Sequence, residues 1–298
     1  MDNLIFLFST PRSGSTLLQK ILMSHPEICS VSEPWILLPL LYPKKQNDLT
    51  VDYDKEVCRQ ALQDFFSELP KKMFSYDKSL KEFVTDIYSS ACDNEKYFLD
   101  KTPRYYFIIP EIAKLFPEAK FIFLGRNPLA TLASVIETWN FGKLNVKPSN
   151  TDLYEGPHLL SDGYELLKEK SILIKYEELV EKSSEVTEKI CNYLEIPFNS
   201  NMIQNIQKEK LHGTMGDPYI AKEKQVQNKS LEKWKTTFNT NLRIQYAKKY
   251  LRSLDSEKLS LLGYNIESIL SELAKLQPKK QSPQNWLADR YAIYKAGQ

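Results

Sequence analysis

Two turns in this 298-residue chain carry the residue types that hold phosphate groups. The first is Ser9-Thr10-Pro11-Arg12-Ser13-Gly14-Ser15-Thr16, set between the apolar run Leu4–Phe8 and the helical pattern that starts at Leu17. A strand, a tight turn with glycine and a helix start aim several backbone N–H groups at one point, where the helix dipole adds positive potential. Arg12 adds a full charge, and Thr10, Ser13, Ser15 and Thr16 add hydroxyls. The second turn is Gly125-Arg126-Asn127-Pro128, which follows the apolar run Lys120–Leu124 and launches a helix that carries Ser134. A guanidinium fork and a hydroxyl brought together suit a terminal phosphate, whose oxygens accept two or three strong hydrogen bonds.

The first turn is not a standard ATP loop. Against G-x-x-x-x-G-K-[ST], Gly14 and Thr16 match, but Ser9 replaces the first glycine and Ser15 the lysine. That lysine normally reaches the β and γ phosphates beside a magnesium ion, so its absence points to a shorter 5′ chain handled without that metal arrangement. Two further charged residues lie at expected strand ends. Glu33 follows the short apolar segment Ile28–Val31 and precedes Pro34, and it reads either as a general base or as an acid favoured at a helix start. Lys101 follows Tyr97-Phe98-Leu99-Asp100 at the carboxyl edge of the sheet, where a solvated surface lysine is the plain reading.

These residues need a frame that gathers strand ends. Apolar runs at Leu4–Phe8, Tyr97–Leu99, Lys120–Leu124 and Ser171–Ile174 alternate with helical patterns at Ser15–Ser24, Pro34–Leu41, Pro103–Phe116, Pro128–Trp139 and Ser183–Leu194. Such alternation predicts an α/β fold: a P-loop-like parallel sheet of four to five strands flanked by helices. Open α/β sheets bind ligands at the carboxyl ends of their strands, where both turns fall. Helical patterns at Leu242–Leu254 and Ile266–Leu276 predict a C-terminal helical extension. The expected organisation is a single domain over residues 1–276, with a helical insertion at 44–95 and a lid loop at 199–235, then a linker and tail at 277–298. The insertion contains amphipathic pieces at Lys55–Phe66 and Leu80–Ala91, and acceptor specificity is expected there; the tail ends in Trp286-Leu287 and Tyr291–Tyr294.

Bulk properties exclude several classes. Lys and Arg (40) nearly balance Asp and Glu (38), so nothing in the charge calls for a nucleic-acid partner. Leu4–Phe8 is too short for a membrane span and lacks a basic segment before it, so neither a signal peptide nor an anchor is read and a cytoplasmic location is expected. Cys29, Cys58, Cys92 and Cys191 lie far apart and form no C-x-x-C pair, which argues against a zinc site or redox dithiol and for reduced thiols. Asn228-Lys229-Ser230 is read as a chance match to a glycosylation triplet.

Thr10 to Leu18 resembles the 5′-phosphosulfate loop of sulfotransferases that use 3′-phosphoadenosine 5′-phosphosulfate (PAPS), in the P-R-S-G-[ST]-T-L form of the tyrosylprotein group and many bacterial members. Arg126, Asn127, Pro128 and Ser134 match the family's R-[DN]-P and Ser of the 3′-phosphate site. The resemblance covers about residues 3–238 and implies that Arg12, Ser13, Gly14, Ser15 and Thr16 hold the 5′-phosphate and sulfate. It implies that Glu33 is the catalytic base, since His25-Pro26 matches the tyrosylprotein enzymes' H-P pair upstream of their base. Lys101 matches the lysine that neutralises the bridging oxygen, so that Lys101 and Arg12 would stabilise the departing 3′-phosphoadenosine 5′-phosphate (PAP). In the 199–235 loop, Lys224 falls where relatives place a phosphate-contacting lysine, and His212, Trp35 and Trp234 are candidates for acceptor or lid contacts. The R-K-G-x-x-G-D-W-K wording of the cytosolic enzymes is absent there.

The implied reaction is in-line sulfuryl transfer from PAPS to a hydroxyl on a carbohydrate, a lipid or polyketide alcohol, or a peptide tyrosine, with no metal. The alternatives are an ATP-dependent P-loop kinase and a non-catalytic nucleotide-binding homologue. Oligomeric state is not legible.

Overall fold

The computed structural model describes residues 3–41, 60–65, 73–204 and 229–296. Five parallel strands, β1 (Leu4–Ser9), β2 (Ile28–Ser30), β3 (Tyr97–Asp100), β4 (Lys120–Gly125) and β5 (Ser171–Lys175), form one sheet in the order β2-β3-β1-β4-β5. β1 lies in the middle and is buried at all six positions, as an unbroken apolar run requires when helices cover both faces. The strand period of two divides its side chains. Leu4, Phe6 and Phe8 join one cluster, Ile5 and Leu7 the other.

The first face is aromatic. Phe8 lies 6.0 Å from Phe121 and 5.3 Å from Phe123, ring centre to ring centre, at separations where aromatic pairs attract. Its cover comes from the helices Ile109–Leu115, Pro128–Thr138 and Gly156–Leu167 and from the C-terminal helices Asn241–Arg252, Ser256–Leu261 and Ile266–Ala274. The second face is aliphatic, with Leu99, Ile122, Leu124, Ile172 and Ile174 packed under the helices Ser15–Met23, Tyr176–Glu181 and Ser183–Leu194. Each fully buried Leu, Ile or Phe contributes about 1.5–3 kcal/mol of transfer free energy, so the two layers together supply most of the driving force.

The chain leaves β1 through the helix Ser15–Met23 towards β2 on one side, and leaves β4 through the helix Pro128–Thr138 towards β5 on the other. The connections therefore diverge between β1 and β4, the place where doubly wound sheets form a ligand crevice. Because Ser9 pairs with Leu124, the turn after β1 lies beside the turn after β4.

The expected strands are all present, each one residue longer, and β2 is the fifth. Two helix expectations need correction. The segment Pro34–Leu41 is helical only from Leu37, because Trp35 takes a left-handed conformation (φ 57°) that a helix cannot contain. The segment Pro103–Phe116 splits into a 3₁₀ turn, Pro103–Phe107, and the helix Ile109–Leu115. A continuous helix would need an amide at Pro110 to bond the Tyr106 carbonyl, and proline has none. Of the insertion, the described part is the helix Met73–Ser90, longer than the expected Leu80–Ala91, together with helical residues 60–65. Residues 205–228 of the expected lid, including His212 and Lys224, lie outside the described residues. The tail forms the helix Pro283–Ala296, tied back by Asp289, which accepts from Arg243 Nε and Nη2 at 2.8 Å each. The fold brings two cysteines that are distant in sequence together: β2 and the turn before β3 set Cys29 and Cys92 side by side.

Candidate active site

The turn after β1 depends on two left-handed residues, Arg12 (φ 66°) and Gly14 (φ 90°). At Gly14 a side chain is excluded twice, since a Cβ would sit 2.3 Å from the Tyr176 ring. Gly14 is also the N-cap of the helix Ser15–Met23, whose first turn has neither a capping side chain nor an acidic residue. Its first amides therefore lack the intrahelical and side-chain acceptors that close most helix starts. Inside the turn, the Thr10 and Ser13 hydroxyls share a hydrogen bond of 2.7 Å.

The turn after β4 is built from the same corner. Asn127 caps the helix Pro128–Thr138 by accepting from the Leu129 amide at 2.9 Å, and its own amide donates to Glu177 at 2.9 Å. Tyr264, from the C-terminal extension, donates to the other Glu177 oxygen at 2.7 Å. Arg126 lies over the Tyr176 ring at 4.2 Å and donates from Nη1 to the Arg12 carbonyl at 2.8 Å. Its Nε is buried and has no hydrogen-bond partner among the described residues. A buried donor left in that state costs about 1–3 kcal/mol, which an anion would recover.

Arg12, Arg126 and Ser134 are brought together, though not in the expected pairing. Ser134 accepts from Arg12 Nε at 3.1 Å, and Arg12 Nη2 donates to Thr138 at 3.2 Å, so the hydroxyl expected beside Arg126 is held by the other arginine. The Arg12 guanidinium also faces the Trp139 ring at 5.9 Å. Two cationic side chains and a helix start thus converge on the crevice between β1 and β4.

One strand over, at the end of β3, Lys101 and Glu33 meet. Lys101 is fully buried, and its Nζ donates to Glu33 Oε1 at 2.6 Å; the Glu33 side chain is 12% exposed. The Trp35 indole donates to Glu33 Oε2 at 3.2 Å, and the Trp35 amide reaches Thr102 Oγ1 at 3.4 Å. Trp35 thus orients the carboxylate, and its left-handed backbone stores strain of about 1–3 kcal/mol that the surrounding contacts must hold. Gln19 couples this corner to the phosphate turn: from the helix Ser15–Met23 its amide nitrogen donates to Ser30 Oγ at 2.8 Å and to the Val31 carbonyl at 2.7 Å.

Behind Lys101 is a network that sequence reasoning missed. Asp100 is fully buried and accepts from Tyr88 at 2.5 Å and from Thr102 at 3.0 Å. Burial raises its carboxyl to about 6, opposed by hydrogen bonds from Tyr88, Thr102 and Tyr105 and by the charge of Lys101. An acid at the end of an otherwise apolar strand was the available signal. Trp234 is buried in the core beside the helix Pro128–Thr138. His25 is structural, accepting the Glu27 amide at Nδ1 (3.1 Å) while Nε2 donates to the Pro197 carbonyl (2.9 Å).

Residues 4–200, which include every strand and the residues Arg12, Glu33, Lys101, Arg126 and Ser134, match the model of the sulfotransferase family. The chain is similar to the nodulation protein NoeE of Sinorhizobium fredii, 35% identical over 136 residues that make up 45% of this chain and 31% of that protein. It is also similar to protein-tyrosine sulfotransferase 1 of Danio rerio, 27% identical over 133 residues, 45% of this chain and 35% of that one. The chain therefore spans about a third of the length of these relatives. In fold it resembles a sulfotransferase domain from the curacin biosynthetic pathway, with a TM-score of 0.59 at 22% identity, covering 93% of this chain and 99% of that one. With the matched span running through the whole sheet and both arginine-bearing turns, this chain belongs to the sulfotransferase family.

Proposed function

We propose that this chain transfers a sulfuryl group from PAPS to an acceptor hydroxyl, with Glu33 as general base. The observation that carries the reading is the meeting of three groups at adjacent strand ends: the Arg12 turn after β1, the Arg126 turn after β4 and the Lys101–Glu33 pair after β3. The residues fit an anionic nucleotide. The uncapped helix start at Ser15 and the Nε of Arg126, which has no partner among the described residues, offer donors that phosphate oxygens satisfy.

When bound, the nucleotide supplies the sulfuryl group and a phosphate leaving group. Arg12, Ser13, Gly14, Ser15 and Thr16 hold its 5′ end, and Arg126 with Ser134 holds the 3′-phosphate. Lys224, outside the described residues, remains a further candidate contact. Glu33 takes the proton of the acceptor hydroxyl on a carboxylate oxygen, and the Trp35 indole keeps that carboxylate in one orientation. Lys101 and Arg12 offset the charge that develops on the leaving oxygen. Fixed positions matter most here, because in-line transfer with a loose transition state gains chiefly from positioning and charge.

The acceptor is a hydroxyl compound: a carbohydrate, a lipid or polyketide alcohol, or a peptide tyrosine. Tyrosine peptides head the screen because one relative is named for them. No helix among the described residues is long and apolar enough to cross a membrane.

Calorimetric titration with PAP, in parallel with ATP plus magnesium and with adenosine 5′-phosphosulfate, tests the reading. PAP binds best, and Arg126→Ala weakens it by about 10- to 150-fold, the equivalent of a lost charged hydrogen bond. Glu33→Gln keeps PAP affinity and loses turnover of labelled PAPS. Preference for ATP with magnesium would identify a kinase instead, and loss of PAP binding in Glu33→Gln would remove Glu33 from the role of base.

A further inference from the structure

The strand β2 and the turn before β3 assemble three metal-binding side chains that no step of the proposed chemistry uses. The sulfurs of Cys29 and Cys92 and a carboxylate oxygen of Glu95 all lie within 4.8 Å of one another. All three residues are half-buried. Cys29 donates to the Ala91 carbonyl at 3.1 Å, which holds its sulfur on the side facing Cys92. Glu95 is held in place, since its Oε2 accepts the amides of Asp93 (2.9 Å) and Asn94 (3.1 Å). Asp93 adds negative charge to the cluster. Lys96, the neighbouring cation in sequence, is directed at the Tyr97 ring (5.1 Å) and the Glu195 carbonyl (3.3 Å).

We propose that Cys29, Cys92 and Glu95 bind a thiophilic divalent cation of the zinc class, with water in the fourth position. Zinc–sulfur bonds of about 2.3 Å in a tetrahedron put ligand atoms about 3.8 Å apart, so the side chains need only a small closure to coordinate. The step balances: one divalent cation replaces two thiol protons, which pass to solvent, and no electrons move. A disulfide would join only the two sulfurs, whereas a metal ion also engages the Glu95 carboxylate and neutralises the acidic turn. The role is structural. Cys29 sits opposite Phe98 in the β2–β3 pair, and these two strands lead to Glu33 and Lys101, so the ion pins the sheet edge from which both reacting groups project.

The test uses the full chain, reduced and stripped with a chelator, then given one equivalent of zinc and desalted before metal analysis. About one zinc per chain is retained, and cobalt substitution gives a thiolate-to-cobalt charge-transfer band. Cys29→Ser and Cys92→Ser each weaken retention at least 10-fold, Glu95→Gln weakens it less, and Cys191→Ser retains zinc fully. Zinc also protects two thiols from alkylation in the wild type. PAP binding by each variant reports that it has folded. Failure of the wild type to retain zinc overturns the proposal, as does equal retention in Cys29→Ser and Cys92→Ser or formation of a Cys29–Cys92 disulfide in the zinc-loaded protein.

Discussion

Glu33 is gripped from two sides, by Lys101 Nζ at 2.6 Å and by the Trp35 indole at 3.2 Å. Lys101→Met keeps the length of the side chain and removes its charge. It is expected to lower kcat by about 10²–10³-fold, the usual effect of deleting one preorganised electrostatic partner. It also leaves Glu33 poorly solvated and unpaired, a loss of about 3 kcal/mol in unfolding free energy. Adding Glu33→Gln to that variant recovers part of the stability and none of the rate, which denaturant melts and turnover assays separate. Asp100 has the opposite electrostatic character. Its carboxyl is raised from 3.8 to about 6 in the folded protein, chiefly by burial, so folding favours the protonated form. Its contribution to stability therefore falls as pH rises between those two values. The difference corresponds to about 3 kcal/mol, so Asp100→Asn should gain up to that much relative to wild type between pH 4 and pH 7. A constant difference across that range would show that Asp100 stays ionised in the fold.

The helix Ser15–Met23 serves the site at both ends. Its start is left open by Gly14, while Gln19, fully buried, reaches across to β2 and the segment that carries Glu33. Gly14→Ala meets both a left-handed backbone and the Tyr176 ring, so the turn must shift. The expected result is loss of PAP binding by about 10-fold or more, equivalent to about 1.4 kcal/mol, with a folded protein by circular dichroism. Unchanged PAP affinity would mean that the turn does not shape the nucleotide site. Arg12, Arg126, Glu33 and Lys101 were legible as candidates because each follows an apolar run at a turn, and Ser134 because it lies on the helix that the Arg126 turn launches, patterns written in neighbouring residues. Their partners were not legible. Ser134 bonds Arg12 from far away in sequence, and Arg126 rests on Tyr176 and is backed by Glu177 and Tyr264, contacts that exist only once β4 and β5 pair and the C-terminal helices dock.

Across the molecule, the C-terminal extension braces the sheet that carries the candidate site. Arg243 holds Asp289 with two bonds of 2.8 Å and the Gly142 carbonyl at 2.7 Å, joining the last helix to the loop after the helix that carries Ser134. Asp289→Ala leaves Arg243, a largely buried cation, without its carboxylate, and should release the helix Pro283–Ala296 at a cost of about 3 kcal/mol. Faster proteolysis of the C-terminus with unchanged PAP affinity is the expected outcome. Equal proteolysis of variant and wild type would show that the helix is held by packing alone. The outward side of that helix keeps Trp286, Leu287, Tyr291 and Tyr294 exposed, so the docking rests on Asp289 and Ala292 rather than on the aromatic residues that stand out in sequence.

The sequence by itself determined the strands, the two arginine-bearing turns and the identity of the candidate acid–base and cationic groups. Hydrophobic period, proline and glycine act over a few residues and are therefore readable locally. Tertiary structure alone decided the neighbours. The sheet order β2-β3-β1-β4-β5 put Lys101 against Glu33, stacked Phe8 on Phe121 with Phe123 tilted beside it, and set Cys29 beside Cys92, a pair whose spacing in the chain had argued against a zinc site or redox dithiol. Strand order follows from how both faces of the sheet are covered at once, a property of the whole packed chain that no single segment carries.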